Sequence, residues 1–338
     1  MVDPLELALT AISALLAYSL TPALIRVLNR LGHVRPDAHK PGKPSVAYSG
    51  GIALYAATTL TLLLVLSAHP ELGPEIGVVY AASTIAFTVG LVDDVKVLGG
   101  EVKTGLTLLA IMPIVLGYLA WPAHVPVGRP LVPILGRLRL TVIYWLLLPL
   151  AAAGPANVVN MLDVFNGVMP ATTLLASIAL AASIHLVYAN ASRALLLAPL
   201  MGALIGYLPF NRNPARILNG DSGSLFVGAY LGVIAILTRM EFVAMIALMP
   251  HILNGALVIG SIGGLKEHRK IRERPTYLTH DFRLAASRSV KAPVSLTRLI
   301  LAIEGPLTES EVVSRLVFLE AVCSTLAVVS ALMIPGPG

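Results

Sequence analysis

The chain has 338 residues, of which 56% are hydrophobic and only 12% charged, and its mean hydropathy is +0.82. Soluble domains carry about a quarter charged residues, so this composition indicates an integral membrane protein and argues against nucleic-acid binding. The net charge of +6 is expected from basic loops at a membrane surface. The single cysteine, Cys323, excludes an internal disulfide.

Long apolar segments recur along the chain, and a membrane-spanning helix needs about 20 such residues. The pattern predicts an all-α, polytopic membrane protein with about ten spans, folded as a single transmembrane domain over residues 1–338. In chain order, the expected spans are Leu5–Val27, Gly50–Ser67, Ile76–Val92, Thr104–Trp121, Leu140–Ala153, Gly167–Val187, Ala194–Pro209, Gly223–Thr238, Phe242–Ile262 and Val312–Ile334.

Basic residues are divided unevenly between the loops. The loops after odd-numbered spans hold 18 of the 24 Lys and Arg residues, whereas the loops after even-numbered spans hold five, namely Arg129, Arg137, Arg139, Arg193 and Arg239. Positively charged loops face the cytoplasm, so we expect the odd loops inside and both termini outside. Three polar motifs lie in or beside odd loops, and they should therefore share the cytoplasmic side.

The first motif, Asp93-Asp94, ends the third span. Two acids at a helix C-terminus oppose the helix dipole, which disfavours a purely structural role. The structural alternative is a pair of solvated charges balanced by Lys96 and Lys103. Adjacent carboxylates can orient Mg²⁺, or one can act as a base while the other tunes it.

The second motif places Asn157, Asn160, Asp163 and Asn166 at intervals of three residues between two apolar segments. On a helix this spacing aligns the side chains along one face. Polar groups at membrane depth are costly and usually mark a functional site. Hydrogen bonding between helices is the structural alternative, and the carboxylate of Asp163 weakens it.

The third motif, Gly220-Asp221-Ser222-Gly223-Ser224, opens the eighth span. A turn followed by a helix cap explains these residue types structurally. The glycines also allow a close backbone approach, a helix N-terminus favours phosphate, and a carboxylate suits Mg²⁺. We expect the three motifs to meet on one membrane face and to hold a metal and a diphosphate.

Residues 263–311, between the last two spans, form the one sizeable soluble segment of the sequence, and we expect a cytoplasmic cap there. Residues 276–279 alternate as a short strand does, and Ser295–Ile303 has the pattern of an amphipathic helix. Thr308 and Glu311 form a capping box at the start of the last span.

The same segment carries His268 and Arg269 within a basic cluster. Guanidinium groups bind diphosphate oxygens bidentately, so a basic cluster on the side of the acidic motifs suggests phosphate binding. The alternative is a set of solvated loop residues.

Together, these motifs resemble those of the polyprenyl-phosphate N-acetylhexosamine-1-phosphate transferases (glycosyltransferase family 4), over nearly the whole chain. In order and spacing they are jointly specific. The matching residues are Asp37, His39 and Pro41 leading into Gly50-Gly51, Asp93-Asp94 with Lys103, Asn157 and Asn160 through Asn166-Gly167, and Asn213-Pro214 leading into Gly220-Asp221-Ser222-Gly223-Ser224.

The resemblance implies ten helices, a cytoplasmic active site and Mg²⁺, with Mn²⁺ as an alternative. It implies attack by a polyprenyl phosphate on the β-phosphorus of a UDP-sugar, with release of UMP. The implied roles are metal binding by Asp221 with Asn160, deprotonation or orientation of the lipid phosphate by Asp94 supported by Asp93, a phosphate contact by Lys103, a diphosphate contact by His268 and Arg269, and nucleotide or sugar contacts by Asn157, Asp163 and Asn166.

Asn166 makes the second motif more similar to the dolichyl-phosphate GlcNAc branch of archaea and eukaryotes than to the bacterial pentapeptide branch, which carries three histidines where this chain has only His268. We therefore expect transfer of GlcNAc-1-phosphate from UDP-GlcNAc to dolichyl phosphate, the first membrane step of glycan assembly. We expect the protein in the cell membrane, and the sequence leaves open whether it forms a homodimer. The alternative function is a transporter or lipid flippase, for which broken helices and internal repeats are expected; the sequence shows no clear repeat.

Overall fold

The computed structural model describes residues 3–140, 142–264 and 273–335. Within these ranges the regular structure is almost all helix, with 69% of the residues helical and very little sheet, which confirms the predicted all-α membrane class. The helices are α1 (Pro4–Arg30), α2 (Gly51–Ala68), α3 (Gly73–Val95), α4 (Gly100–Thr107), α5 (Ile111–Ala120), α6 (Val142–Leu162), α7 (Val168–Val187), α8 (Ala198–Asn211), α9 (Gly220–Thr238), α10 (Glu241–Ala247), α11 (Met249–Ile262), α12 (Leu296–Glu304) and α13 (Glu309–Leu332).

Strands occur only as three short antiparallel hairpins in the described ranges. The first hairpin lies between α1 and α2, the second between α5 and α6, and the third between α11 and α12. Their strands are β1 (Val34–Pro36) with β2 (Ser45–Ala47), β3 (Leu131–Val132) with β4 (Gly136–Arg137), and β5 (Thr276–Leu278) with β6 (Leu284–Ala286).

Nine helical segments of the described chain are long and apolar enough to cross a membrane, and a tenth results if α10 and α11 form one span with a 74° bend. The expected fifth span ends later than the sequence suggested, because α6 continues to Leu162 through Asn157 and Asn160. In lipid a backbone must satisfy its hydrogen bonds internally, which favours continuing the helix through polar residues. The two amides find theirs on neighbouring helices.

The innermost helix is α9, which is buried almost throughout and packs against α3 and α6. Small residues make this contact close. A Cβ atom at Gly228 would lie 2.4 Å from the carbonyl oxygen of Pro155 in α6. Lipid supplies no hydrophobic force between helices, so such close backbone packing is a main source of association.

The start of α9 is held between α2 and α3. A Cβ atom at Gly90 would lie 2.4 Å from the carbonyl oxygen of Asp221, and one at Gly51 would lie 2.2 Å from the amide nitrogen of Gly223. The backbones therefore touch at both glycines. This packing fixes the position of the Asp221 main chain between two other helices.

The segment before α13 folds as the local patterns predict. Residues 276–278 form β5, and the Ser295 hydroxyl accepts a hydrogen bond from the Arg298 amide (3.1 Å) at the start of α12. The capping box of Thr308 and Glu311 is present in both directions. Apolar residues of the hairpin and of α12 pack against the chain between α6 and α7, so this cap closes over that end of the bundle.

Candidate active site

A cavity of about 830 Å³ opens at the end of the bundle where α9 begins. The first loop, the ends of α3 and α6, the start of α9, α4, α11 and the cap enclose it. Seven of the residues predicted from the sequence line it, namely Asp93, Lys103, Asn157, Asn160, Asp163, Asn166 and Asp221. Asp94 is not among the described lining residues. His268 and Arg269 lie outside the described residues.

Asp94 holds the N-terminus of α9. One carboxylate oxygen accepts a hydrogen bond from the Asp221 amide (2.7 Å), and the other accepts from the Ser222 hydroxyl (2.6 Å) and amide (3.3 Å). Its side chain is buried, with 1% exposure. A carboxylate at this position satisfies otherwise unpaired amides and complements the helix dipole. Asp94 therefore joins the first and third motifs.

Lys103 lies between two carboxylates of the cavity wall. Its ammonium forms an ion pair with Asp221, and it lies 3.8 Å from an oxygen of Asp93. The second oxygen of Asp93 accepts a hydrogen bond from the Leu98 amide (2.7 Å), which fixes the side chain at the end of α3. Two acids from different helices thus converge on a single positive charge.

The two amides of α6 have different surroundings. Asn157 donates to the Thr107 hydroxyl (3.0 Å) and accepts from the Thr104 hydroxyl (3.2 Å), so it joins α6 to the α4 segment. Asn160 donates to the Ser224 hydroxyl (2.8 Å), and its amide also interacts with the carboxylate of Asp221. Asn157 makes the interhelical contacts that the structural alternative predicted. Asn160 instead lies beside the acidic wall of the cavity, which Asp93 and Asp221 form.

Asp163 follows α6 and accepts a hydrogen bond from the Asn219 side chain (2.8 Å). Burial, reinforced by the charges of Asp221 and Asp94, raises the pKa of Asp163 to about 7. A carboxyl with this pKa exchanges its proton near neutral pH and can act as an acid or a base.

Asn166 connects three segments of the chain. Its side chain donates to Asp37 (2.8 Å) in the first loop, and its backbone amide donates to Glu309 (3.0 Å) at the start of α13. Lys40 forms an ion pair with Glu309 and lies 3.9 Å from Asp37. Asp37, His39 and Glu309 present ligand atoms within 4.8 Å of one another, a spacing that could hold a metal. The Lys40 ammonium already pairs with Glu309 and the Asn166 side chain already bonds Asp37, so the arrangement favours a structural junction.

The sequence analysis assigned no role to Asn219 or Tyr48, and it named Ser222 only as part of the third motif. Asn219 and Ser222 lie on either side of Asp221 in the chain, and their polar side chains at a helix start were the available signal. Tyr48 lines the cavity, with the Arg35 guanidinium 5.2 Å from its ring centre. Burial, followed by the charges of Asp94 and Asp221, raises the pKa of the Tyr48 hydroxyl, which therefore stays protonated.

The comparisons with known proteins agree with one another on the family that this chain resembles. Residues 76–239 match the model of glycosyl transferase family 4. The phospho-N-acetylmuramoyl-pentapeptide-transferase of Clostridium perfringens is 28% identical over 79% of this chain and 86% of its own length. A Saccharolobus solfataricus protein, named provisionally as a UDP-N-acetylglucosamine–dolichyl-phosphate N-acetylglucosaminephosphotransferase, is 28% identical over 80% and 85%.

A third relative, from Methanocaldococcus jannaschii and named provisionally as a glycosyltransferase, is 28% identical over 83% of this chain and 82% of its own. The family resemblance inferred from the motifs is thus confirmed. The matched region includes Lys103 and the two acids that face its ammonium, Asp93 and Asp221. Residues 76–239, which carry Asp93, Lys103 and Asp221 of the cavity wall, are therefore the part of the chain that matches glycosyl transferase family 4.

Proposed function

We propose that this protein transfers a sugar 1-phosphate from a nucleotide sugar to a polyprenyl phosphate within the membrane, with release of UMP. The donor and acceptor we propose are UDP-GlcNAc and dolichyl phosphate. The observation that carries the proposal is the convergence of Asp221, Asp93 and Lys103 on the wall of one large cavity. The family match over residues 76–239 and the names of the relatives support it.

The donor set fits a divalent cation. Asp221 and Asp93 already share one positive charge, and the Asn160 amide lies beside Asp221. Mg²⁺ prefers one or two carboxylates together with substrate phosphates. We propose that Asp221, with Asn160 beside it, holds Mg²⁺. When bound, the ion neutralises charge on a diphosphate, the main requirement of phosphoryl transfer.

We propose that Lys103 contacts the phosphates of the donor, since it is the cation of the acidic wall and reaches the cavity. The two adjacent acids take separate roles. Both oxygens of Asp94 accept hydrogen bonds from the start of α9, which supports a positioning role. Asp93 lines the cavity, which supports it as the group that orients or deprotonates the lipid phosphate. The sequence analysis had given that role to Asp94, with Asp93 in support.

We propose that the cavity faces the cytoplasm and that both termini lie outside. The uneven distribution of basic residues supports this orientation, because positively charged loops stay on the cytoplasmic side. The position of the cavity at one end of the bundle suits a reaction between a soluble nucleotide sugar and a lipid phosphate at the membrane surface.

The test is an assay of the purified full-length protein with labelled UDP-sugars and polyprenyl phosphate, in which UMP and lipid-linked product are both measured. We expect product only when lipid and Mg²⁺ are both present, and preference for UDP-GlcNAc. Asp221→Ala should abolish turnover, whereas the matched control Asp281→Ala, at an exposed acid of the cap, should not change it.

Normal turnover of the Asp221→Ala protein would contradict the proposed metal site. Movement of lipid or sugar across vesicles without UMP formation would instead favour the transporter or flippase, for which the 74° bend between α10 and α11 is the relevant structural feature. The roles of the two acids are also separable. Asp93→Asn should lower kcat by about 10²–10⁴-fold with little change in thermal stability, whereas Asp94→Asn should lower thermal stability as well.

A further inference from the structure

The opposite end of α9 carries a cluster of arginines. Each residue of a helix advances about 1.5 Å, so Arg239 lies about 27 Å from Asp221 along α9, close to the thickness of a bilayer core. The Arg239 carbonyl accepts a hydrogen bond from the Leu131 amide (2.9 Å). Leu131 pairs with Arg137 across the β3–β4 hairpin, and Arg129 precedes Leu131 by two residues. The hairpin therefore brings Arg129 and Arg137 to the end of α9.

A fourth arginine of this region is already neutralised. Arg193 donates to a carboxylate oxygen of Glu75 (3.0 and 3.2 Å) and to the Leu237 carbonyl (3.0 Å). His124 lies 3.0 Å from the same carboxylate. The ion pair of Arg193 with Glu75 thus joins the start of α3 to the end of α9, and the Glu75 carboxylate already has Arg193 and His124 as partners.

The remaining arginines have no such partner. Among the described residues, Arg129, Arg137 and Arg239 form no ion pair, and the Nε of Arg239 is buried without a hydrogen-bond partner. The nearby acid, Glu241, accepts a hydrogen bond from the Tyr144 hydroxyl through one oxygen, and its second oxygen forms no ion pair with these arginines among the described residues. Burial lowers the pKa of Arg239, and the charge of Arg137 lowers it further. Both effects disfavour the charged form of the Arg239 guanidinium.

Apolar side chains surround this cluster. Ile134 and Leu135, at the tip of the β3–β4 hairpin, are 71% and 69% exposed, and Trp121 at the end of α5 is 51% exposed. Exposed aliphatic side chains next to tryptophan and arginine are typical of the membrane–water interface. The cluster therefore lies where the headgroups of the opposite leaflet are expected.

We propose that Arg239, Arg137 and Arg129 form a binding site for a phosphate group on the face of the bundle opposite the cavity. Guanidinium groups present planar pairs of donors that match phosphate oxygens. The phosphate can belong to an anionic lipid headgroup or be free inorganic phosphate. The exposed hairpin tip favours the lipid source. The site is about a bilayer thickness from the catalytic region and does not depend on the proposed reaction.

The test compares thermal unfolding of the full-length protein in neutral detergent–phosphatidylcholine micelles with added phosphatidylglycerol or inorganic phosphate, at constant ionic strength. We expect the unfolding midpoint to rise with phosphatidylglycerol. Loss of hydrogen bonds to a charged group costs about 1.5–3 kcal/mol, so Arg137→Gln/Arg239→Gln should need about ten- to a hundredfold more lipid for the same shift. Arg288→Gln, which removes an exposed arginine from the cap, should behave as wild type.

A shift produced by inorganic phosphate as well would identify the free anion as a ligand of the same site, whereas a shift with lipid alone would identify the headgroup. Equal lipid dependence in the wild type and the double variant would overturn the proposal, as would the absence of a shift with either probe. If the double variant does not fold, Arg129→Gln/Arg137→Gln tests the same site, because both side chains are exposed.

Discussion

Replacement of Gly90 by alanine tests whether the close packing of α9 positions the acidic wall. The new Cβ would lie 2.4 Å from the carbonyl oxygen of Asp221 and 2.5 Å from the amide nitrogen of Ser222. Ordinary contacts begin at about 3.4 Å, so one of the two backbones must move by about 1 Å. A misplacement of this size at a catalytic group can cost about 10²-fold in rate.

The matched control is Gly77→Ala on the same helix, where a Cβ meets nothing within 4 Å. Both substitutions remove a helical glycine, which favours the helix by about 1 kcal/mol. Only Gly90→Ala adds an overpacking cost of about 1–3 kcal/mol. We therefore expect a stability equal to or above wild type for Gly77→Ala, and unchanged or lower by about 2 kcal/mol for Gly90→Ala.

The assay is lipid-dependent UMP release together with the thermal unfolding midpoint of each purified protein. Gly90→Ala should lose about 10²-fold in kcat/KM, and Gly77→Ala should keep wild-type activity. Activity of Gly90→Ala within about threefold of the control would refute the reasoning, because it would mean that α9 can shift without disturbing Asp221.

Three further predictions concern the protonation of Asp163, the cap of α9 and a buried polar contact. The pKa of Asp163 is raised to about 7, so its contribution to stability is fully present below about pH 4 and is lost as pH rises through 7, by at most about 4 kcal/mol. Asp163→Asn should therefore make the unfolding midpoint depend less on pH between pH 4 and 8, and an unchanged pH dependence would contradict the shift. Ser222→Ala removes the hydroxyl bond to Asp94 and should cost about 1.5–3 kcal/mol in thermal unfolding, whereas no loss would show that the two amides suffice. Glu320→Leu should destabilise the protein by about 1–3 kcal/mol, because it removes the polar neighbour, 3.3 Å away, of the buried His251 ring; the double variant with His251→Leu should recover most of that loss, and an additive loss would exclude coupling between the two residues.

Much of the architecture could be predicted from local patterns. Apolar segments gave the number of spans, and the strand at 276–278, the helix after Ser295 and the capping box at Thr308 each formed as expected. These features depend on residues that are close in the chain. The end of α6 could not be predicted as well, because Asn157 and Asn160 find their partners on other helices.

The sequence by itself determined the membrane class and which polar residues stand out against an apolar background, because hydropathy and the cost of a polar group in lipid are local properties. Only the tertiary structure decided how those residues divide their contacts. Successive residues of a helix point about 100° apart, so Asp93 turns to the cavity while Asp94 turns to α9. Which neighbour each one meets depends on how closely the helices pack, and that distance is set by glycines far away in the chain.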